Sequence, residues 1–477
     1  MIGKGRVPVP ILLVVLDGMA DRPYPELGGH TPLEVASTPV MDRLVGEGQT
    51  GFYYPLGPGR VPSTELSHFR LFGYGGYPFP GRACLEALGH GVRYAAGDTF
   101  SFLALRRVVR EAGGTFRVTG GYGEDFGDAR AGYTELDGWE DEKTGYRFEI
   151  FPLPGSEAIL RIRGTSSAIP PCGEVTDSDP FFFTNLPVLR PRSLGAARRP
   201  EAAARTADAL DRFLARAAEV FGDRRVAAWT GPSGDGGLLS TGRLVVSKWT
   251  GTFSCLPPFE DLTGMLGACV ASTRLMRGLA TVLGLRFVQH PASETRDVHE
   301  GGRADRGFSG VGVAGKVGRA LALLRSGEVG FAHVHAKDAD EASHAGDLEE
   351  KVAVVEELDR GLAALLEIPP DRLVLCVTSD HCTSVRGRTV HWGDSVPILV
   401  RGPYVRVDRA SSYGERSAIE GSLGQIGAAD LLPYLLCQAD RAHFLGANPS
   451  PVAPLGIPSA GEPWLYRDPS GGGVLDA

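Results

Sequence analysis

Ile11-Leu12-Leu13-Val14-Val15-Leu16 runs directly into Asp17-Gly18. A block of leucine and β-branched residues with no polar interruption is expected of a strand buried on both faces of a parallel sheet. A carboxylate at its end then lies where open α/β sheets carry their chemistry. Two later stretches repeat the pattern. Val329-Gly330-Phe331-Ala332-His333-Val334-His335 leads to Asp338, Asp340 and His344, and Leu373-Val374-Leu375-Cys376-Val377 leads through Thr378-Ser379 to Asp380-His381. His391 follows, ahead of the apolar run Val396-Pro397-Ile398-Leu399. Helices are predicted from Thr38, a cap with Pro39 in the first helical position, from Ser63 or Thr64 through His68 to Leu71, and from Asp347 to Glu367 with Asp347 as cap.

The texture changes near Ala96. Glycine pairs such as Gly113-Gly114 and Gly120-Gly121 separate alternating segments, Thr115-Phe116-Arg117-Val118 and Tyr146-Arg147-Phe148-Glu149-Ile150, that read as strands of a mixed sheet. After Pro200, Leu210, Phe213, Leu214, Ala217 and Phe221 share one helical face up to Gly222. This middle third is expected to be an inserted domain over residues 98–255, interrupting a parent domain of residues 1–97 and 256–477. The tail from Pro449 reads as weakly ordered or wrapped on the surface.

Bulk properties exclude several classes. The chain has 477 residues, 43% of them hydrophobic, enough for two substantial cores. Its net charge of −8, from 49 basic and 57 acidic residues, argues against a nucleic-acid partner. No apolar run approaches a membrane span, and the charge at Asp17 argues against a signal peptide. The seven cysteines form no C-x-x-C pair and suit a reducing, cytoplasmic setting, mostly as small buried hydrophobes. The pattern says nothing about oligomeric state.

Asp17, Thr64, Asp340, His344, Asp380, His381 and His391 read together as a two-metal phosphoryl-transfer site. Carboxylates mixed with imidazoles, and no thiolate, suit Mn²⁺, Mg²⁺ or Zn²⁺ acting on phosphate oxygens. Each member also has a plainer reading. Asp380 could sit in a turn and His381 could cap a helix, but their place after a buried strand favours ligation. Asp340 and His344 are one helical turn apart and can face one ion, whereas Glu341 suits a solvated face and Asp338 an outer position. In Pro62-Ser63-Thr64-Glu65, Ser63 fits an N-cap, and Thr64 has its oxygen near the helix start, where a phosphoryl group is favoured. His333 and His335 share a strand face and are read as partly buried sheet histidines rather than substrate contacts. Gly310-Val311-Gly312-Val313-Ala314-Gly315-Lys316 imitates a phosphate loop, but no strand precedes it and Val317 stands where Ser or Thr would be needed. A glycine-led entry into a helix from Lys316 to Leu324 is expected instead.

These residues together resemble the archaeal-type cofactor-independent phosphoglycerate mutases, within the alkaline phosphatase superfamily. The similar segments include Leu16-Asp17-Gly18, Gly29-His30-Thr31-Pro32-Leu33-Glu34, Leu71-Phe72-Gly73-Tyr74, Gly81-Arg82, Glu86-Ala87-Leu88-Gly89 and Val175-Thr176-Asp177-Ser178-Asp179-Pro180. They continue with the block from Asp340 to Lys351 and with Asp380-His381, in family order over most of the chain. The resemblance implies an alkaline-phosphatase-like α/β core, with a mostly parallel sheet sandwiched by helices, plus a smaller inserted α+β domain. It implies two divalent ions, Mn²⁺ first, with Mg²⁺ or Zn²⁺ as alternatives. One would be held by Asp17, Thr64, Asp380 and His381, the other by Asp340, His344 and His391. The family nucleophile is a serine, and counting back from His68 and Gly73-Tyr74 puts that position on Thr64, with Glu65 where an Asp is usual.

The inserted domain departs further. The family's Asp-Arg-Arg-Ala-Gly-Arg segment is similar to Asp128-Ala129-Arg130-Ala131-Gly132-Tyr133, a His-Arg pair to Ser156-Glu157, and an Arg-Gly pair to Lys248-Trp249. In the family those arginines grip the substrate's phosphate and carboxylate, and bidentate geometry is hard to replace. Arg130, Arg161, Arg163, Lys248 and His68 are the remaining candidates for substrate contacts. The expected function is metal-dependent phosphoryl transfer through a phosphothreonine on a small phosphorylated metabolite. A phosphatase, phosphodiesterase or phosphonate hydrolase of the same superfamily is the nearer alternative, and a non-catalytic binding protein the remote one.

Overall fold

The computed structural model describes residues 9–111, 114–121, 126, 129–164, 169–180, 185–222, 241–290, 311–386 and 391–442. In chain order its strands are β1 (Ile11–Leu16), β2 (Gln49–Tyr54), β3 (Thr99–Arg110), β4 (Phe116–Gly120), β5 (Trp139–Asp141), β6 (Tyr146–Pro152), β7 (Glu157–Gly164) and β8 (Thr241–Thr252). They continue as β9 (Gly267–Ala271), β10 (Arg286–Gln289), β11 (Phe331–Ala336), β12 (Val374–Thr378), β13 (Cys382–Thr383), β14 (His391–Trp392), β15 (Val396–Arg401) and β16 (Gly424–Gly427). One sheet has the order β10-β9-β11-β1-β12-β15-β2-β16, parallel from β10 to β12. A second, antiparallel sheet has the order β4-β3-β7-β6-β5, with β8 also on β3, and β13 pairs with β14.

All six residues of β1 are buried because both faces of its sheet are covered. Leu12, Val14 and Leu16 pack with the helices Pro39–Val45, Val311–Arg325 and Leu348–Gly361, while Ile11, Leu13 and Val15 pack with Thr64–Leu71, Arg274–Val282 and Ala428–Gln438. In the second sheet, Leu103, Phe148, Leu160 and Ile162 pack against Leu210 and Phe213 of the helix Pro200–Gly222. The helix Arg82–Gly89 joins the two units. Leu85 belongs to the core of the first sheet, and Ala83, Cys84, Ala87 and Leu88 pack on Phe100, Phe102 and Ile159 of the second.

Several local expectations are corrected. Thr38 and Ser63 stand at N-cap positions, yet neither side chain caps. Thr38 Oγ1 donates instead to Asp42, and Ser63 Oγ to Glu65 Oε1. Asp347 does cap, accepting from Glu349 and Glu350 amides, but its helix ends at Gly361 and a 3₁₀ segment, Ala363–Glu367, follows. The helix expected from Lys316 begins earlier, at Val311, so Lys316 lies inside it. Residues 301–310 and the tail from Pro449 lie outside the described residues. No helix among the described residues is long and apolar enough to cross a membrane.

Lys351 ties the loop after β1 to β13. Its fully buried ammonium donates to Asp21 Oδ2 at 2.9 Å, Thr383 O at 2.7 Å and Ala20 O at 3.4 Å. Removing one member of such a pair leaves an uncompensated buried charge, which costs about 3–5 kcal/mol. Lys351→Met is expected to lose about that much stability in urea unfolding; a loss below about 1 kcal/mol contradicts the assignment.

Candidate metal and phosphoryl site

The parallel strands deliver the site at their carboxyl ends. Asp17 follows β1, Asp380 and His381 follow β12, and the helix Asp338–Ala345 after β11 carries Asp340 and His344. Gly18 makes the approach possible. It has φ +65°, and a Cβ there would lie 2.6 Å from Thr383 Oγ1 and 2.8 Å from Asp340 Cα, so only glycine suits this turn. His391 opens β14, and Thr64 opens the helix Thr64–Leu71.

All seven expected side chains come together. His381 Nε2 lies 3.1 Å from Thr64 Oγ1, 3.2 Å from Asp17 Oδ1 and 3.2 Å from Asp380 Oδ2. Asp340 receives His344 Nε2 at 3.2 Å and His391 Nε2 at 3.6 Å. The His381 and His391 rings stack with centroids 3.7 Å apart. Most of the cluster is buried, and it opens on the side of His344 and His391, whose side chains are 32% and 19% exposed.

The hydrogen bonds assign the tautomers. Thr383 Oγ1 donates to Asp340 Oδ1 at 3.0 Å, so it accepts from His381 Nδ1 at 2.8 Å, leaving a bare lone pair on His381 Nε2. His391 Nδ1 meets the Pro62 carbonyl and His68 Nδ1 the Thr64 carbonyl, both at 2.8 Å. A carbonyl only accepts, so the other nitrogen of each ring is also unprotonated in the neutral form. Thus the lone pair of His381 faces the carboxylates of Asp17 and Asp380, an arrangement that repels unless a cation lies between, whereas Asp340, against the effect of burial, pulls the His391 pKa up and accepts from its Nε2 when that ring is protonated. The carboxylates give the same sign. Asp17 Oδ1 and Asp380 Oδ2 are buried and have no hydrogen-bond partner among the described residues. Burial, together with neighbouring carboxylates, pushes Asp17 up to about 6 and Asp380 well above the usual range. Burial opposes ionisation of Asp340 too, but His344 and His391 hold it well below that range. This donor set of carboxylate oxygen and imidazole nitrogen fits a hard divalent cation.

Sequence reasoning underrated three residues. His335 is fully buried rather than partly exposed, and its Nε2 lies 3.0 Å from Asp17 Oδ2, orienting that carboxylate. Thr383, which fixes the His381 tautomer, belongs to no motif. Lys316, set aside with the glycine-rich decoy, is buried within the fields of Asp338, Glu341 and Asp17, and burial lowers its pKa. Only the glycine-lysine pairing could have drawn attention to it.

The expected substrate contacts fare differently. His68 lies fully buried behind the Thr64 turn, where burial lowers its pKa to about 3 and no solvent reaches it. In this structure its Nδ1 bonds to the Thr64 carbonyl and so supports the turn. On β7, Arg161 pairs with Glu149 at 2.7 Å, and Arg163 clasps both oxygens of Asp98 at 2.8 Å. Arg130 is exposed at the start of the helix Arg130–Leu136; Lys248 is buried on β8, its ammonium 3.8 Å from the Trp249 ring. Tyr133 and Ser156, at two positions of the expected clamp, are neighbours through Tyr133 Oη to Ser156 O at 2.8 Å. Asp128 lies outside the described residues.

A three-layer α/β fold with a hydroxyl, carboxylates and imidazoles clustered at the carboxyl ends of its parallel strands is the architecture of a metal-dependent enzyme class. The comparisons agree. Residues 9–437 match the model of the metalloenzyme superfamily. The 2,3-bisphosphoglycerate-independent phosphoglycerate mutase of Methanopyrus kandleri is 34% identical over 92% of this chain and 98% of its own, and that of Methanosphaera stadtmanae is 31% identical over 88% and 96%. The fold is similar to that of a Pyrococcus horikoshii protein, with TM-score 0.67 and 24% identity over 93% of this chain and all of that one. It is also similar to a cofactor-independent phosphoglycerate mutase from Thermoplasma acidophilum, with TM-score 0.57 and 24% identity over 90% and 100%. The chain belongs to the cofactor-independent phosphoglycerate mutase family of the metalloenzyme superfamily.

Proposed function

We propose that this protein is a two-metal phosphotransferase in which Thr64 accepts a phosphoryl group from a small phosphorylated metabolite. The observation that carries the reading is the convergence on His381 Nε2 of the Thr64 hydroxyl and two buried carboxylates. Asp17, Thr64, Asp380 and His381 would hold one ion, and Asp340, His344 and His391 the other. Mn²⁺ is the favoured metal, and Mg²⁺ and Zn²⁺ suit the same donors. Bound ions would supply positive charge for the phosphate oxygens and favour the ionised hydroxyl. The chain's own groups do the rest. His335 and Thr383 hold Asp17 and His381 in place, and Lys316 adds a buried cation near Asp17. Thr64 Oγ1 attacks phosphorus as the bond to the leaving oxygen breaks, with inversion, giving a phosphothreonine. A mutase returns the phosphoryl group to another hydroxyl of the same molecule, and a hydrolase yields it to water.

Residues 1–97 and 256–477 would form the metal-binding core and residues 98–255 the inserted substrate domain, a division supported by the separate second sheet. The free cysteines support a reducing, cytoplasmic setting. A hydrolytic outcome on a phosphate or phosphonate other than phosphoglycerate is favoured by the ion pairs that occupy Arg161 and Arg163, and by Tyr133 and Glu157 where family arginines are expected.

Three measurements test the reading. Metal analysis should give about two divalent ions per chain, with His344→Ala or His391→Ala losing one ion and most activity; full occupancy in both variants contradicts the ligand sets. Thr64→Ala should abolish turnover and Thr64→Ser should keep it, whereas Ser63→Ala should cost on the order of 1 kcal/mol of stability through its lost bond to Glu65. Phosphate trapped on Ser63 in mass spectra would reject Thr64. Finally, the coupled 3-phosphoglycerate to 2-phosphoglycerate assay should show weak or no mutase activity beside Thr64-dependent turnover of other phosphate esters or phosphonates. A kcat near the ordinary value of about 10 per second on phosphoglycerate overturns that expectation.

A further inference from the structure

Trp249 is a bulky residue in the left-handed region, at φ +58°. That conformation favours glycine and is costly for a side chain that large, so surrounding contacts must hold it there. Strain of this kind is retained where geometry is needed. Its amide donates to Asp177 Oδ1 at 2.7 Å, and its ring packs on Phe102 with centroids 5.3 Å apart. The Arg82 guanidinium lies 4.0 Å from the centre of the indole.

Arg82 points the argument back to the nucleophile. Its Nη1 is 3.8 Å from Oε2 of the buried Glu65, and Glu65 Oε1 accepts from Ser63 Oγ at 2.8 Å. Thr64 lies between Ser63 and Glu65, so one carboxylate spans the turn that presents the hydroxyl. Arg82 also opens the helix packed between the two sheets. Near this residue β8 crosses the segment entering that helix so closely that a Cβ on Gly251 would lie 1.9 Å from Pro80 O.

We propose that Trp249 is a positioning residue that fastens the Thr64 turn to the second sheet through Arg82 and Glu65, so that the aim of the Thr64 hydroxyl depends on β8. The proposal rests on the assignment of Thr64 as nucleophile. Indole and guanidinium planes stack well, and Arg82, whose Nε donates to Glu86 Oε1 at 3.3 Å, is thereby held with Nη1 within ion-pair distance of Glu65. The chain of contacts acts on orientation rather than on binding, so it should appear in kcat and leave KM and metal content unchanged.

The test is steady-state kinetics with Mn²⁺ on p-nitrophenyl phosphate and on 3-phosphoglycerate, with Tm and metal content for each variant. Trp249→Gly should lower kcat between about 10- and 100-fold, the scale of a small misplacement. Its KM and metal content should be unchanged, while its Tm should fall through the lost indole packing, offset in part because glycine relieves the strain. Trp249→Phe should restore most of kcat by keeping a ring on Arg82. Combining Trp249→Gly with Glu65→Gln should do no more harm than the worse single change, as expected of one linked unit. Arg82→Lys, which keeps the charge and loses the stacking plane, should reproduce the loss even if Trp249→Gly fails to fold. Wild-type kcat in folded Trp249→Gly or Arg82→Lys overturns the proposal, as does a double variant whose losses multiply. Equal turnover by wild type and Thr64→Ala instead overturns the assignment beneath it.

Discussion

Three buried carboxylates, Asp17, Asp340 and Asp380, share one small volume, and their mutual repulsion is the constraint around which the rest of the core is arranged. Burial alone makes such a cluster costly. The fold meets the cost from two directions. His344 and His391 stabilise the ionised form of Asp340, while Gly18 N and His335 reach Asp380 and Asp17. What remains is the His381 lone pair aimed at the oxygens of Asp17 and Asp380, an arrangement that favours a cation between them.

The parallel strands bear that arrangement because their register aligns the donors. Val15 of β1 is level with His335 of β11 and Thr378 of β12, so Asp17 and Asp380 leave the sheet side by side. Thr383 then returns a hydroxyl between His381 and Asp340, and Lys351 fixes its carbonyl. The polar shell is thus continuous with the core, and the metal half of the molecule leaves little room for adjustment.

The second sheet is under a different constraint. Its arginines are spent on one another's neighbours: Arg106 on Asp179, Arg161 on Glu149, Arg163 on Asp98 and Arg212 on Asp141. Cations committed in this way tie strands and loops of the second unit together.

The sequence by itself determined the class of the fold and the seven-residue cluster. The apolar runs ending at Leu16 and Val377 read as strands covered on both faces, which the structure bears out, and a run of that kind places the next carboxylate at the carboxyl end of the sheet. Periodicity also located the helix from Pro200 and the one capped by Asp347. It did not reveal that Thr38 and Ser63 turn away from their helix ends, because a side chain at a cap position chooses between the backbone and a nearby carboxylate only when that carboxylate is in place. Likewise, His335, Thr383 and Lys316 gain their importance from partners that are distant in sequence. Tertiary structure alone decided which nitrogen of His381, His391 and His68 faces a hydrogen-bond partner, which arginines are already paired, and that Trp249 takes a left-handed backbone with its ring beside Arg82. The physical reason is the same for each. Local pattern encodes burial and periodicity, whereas tautomer, ion pairing and strain depend on atoms that only folding brings within a few ångströms.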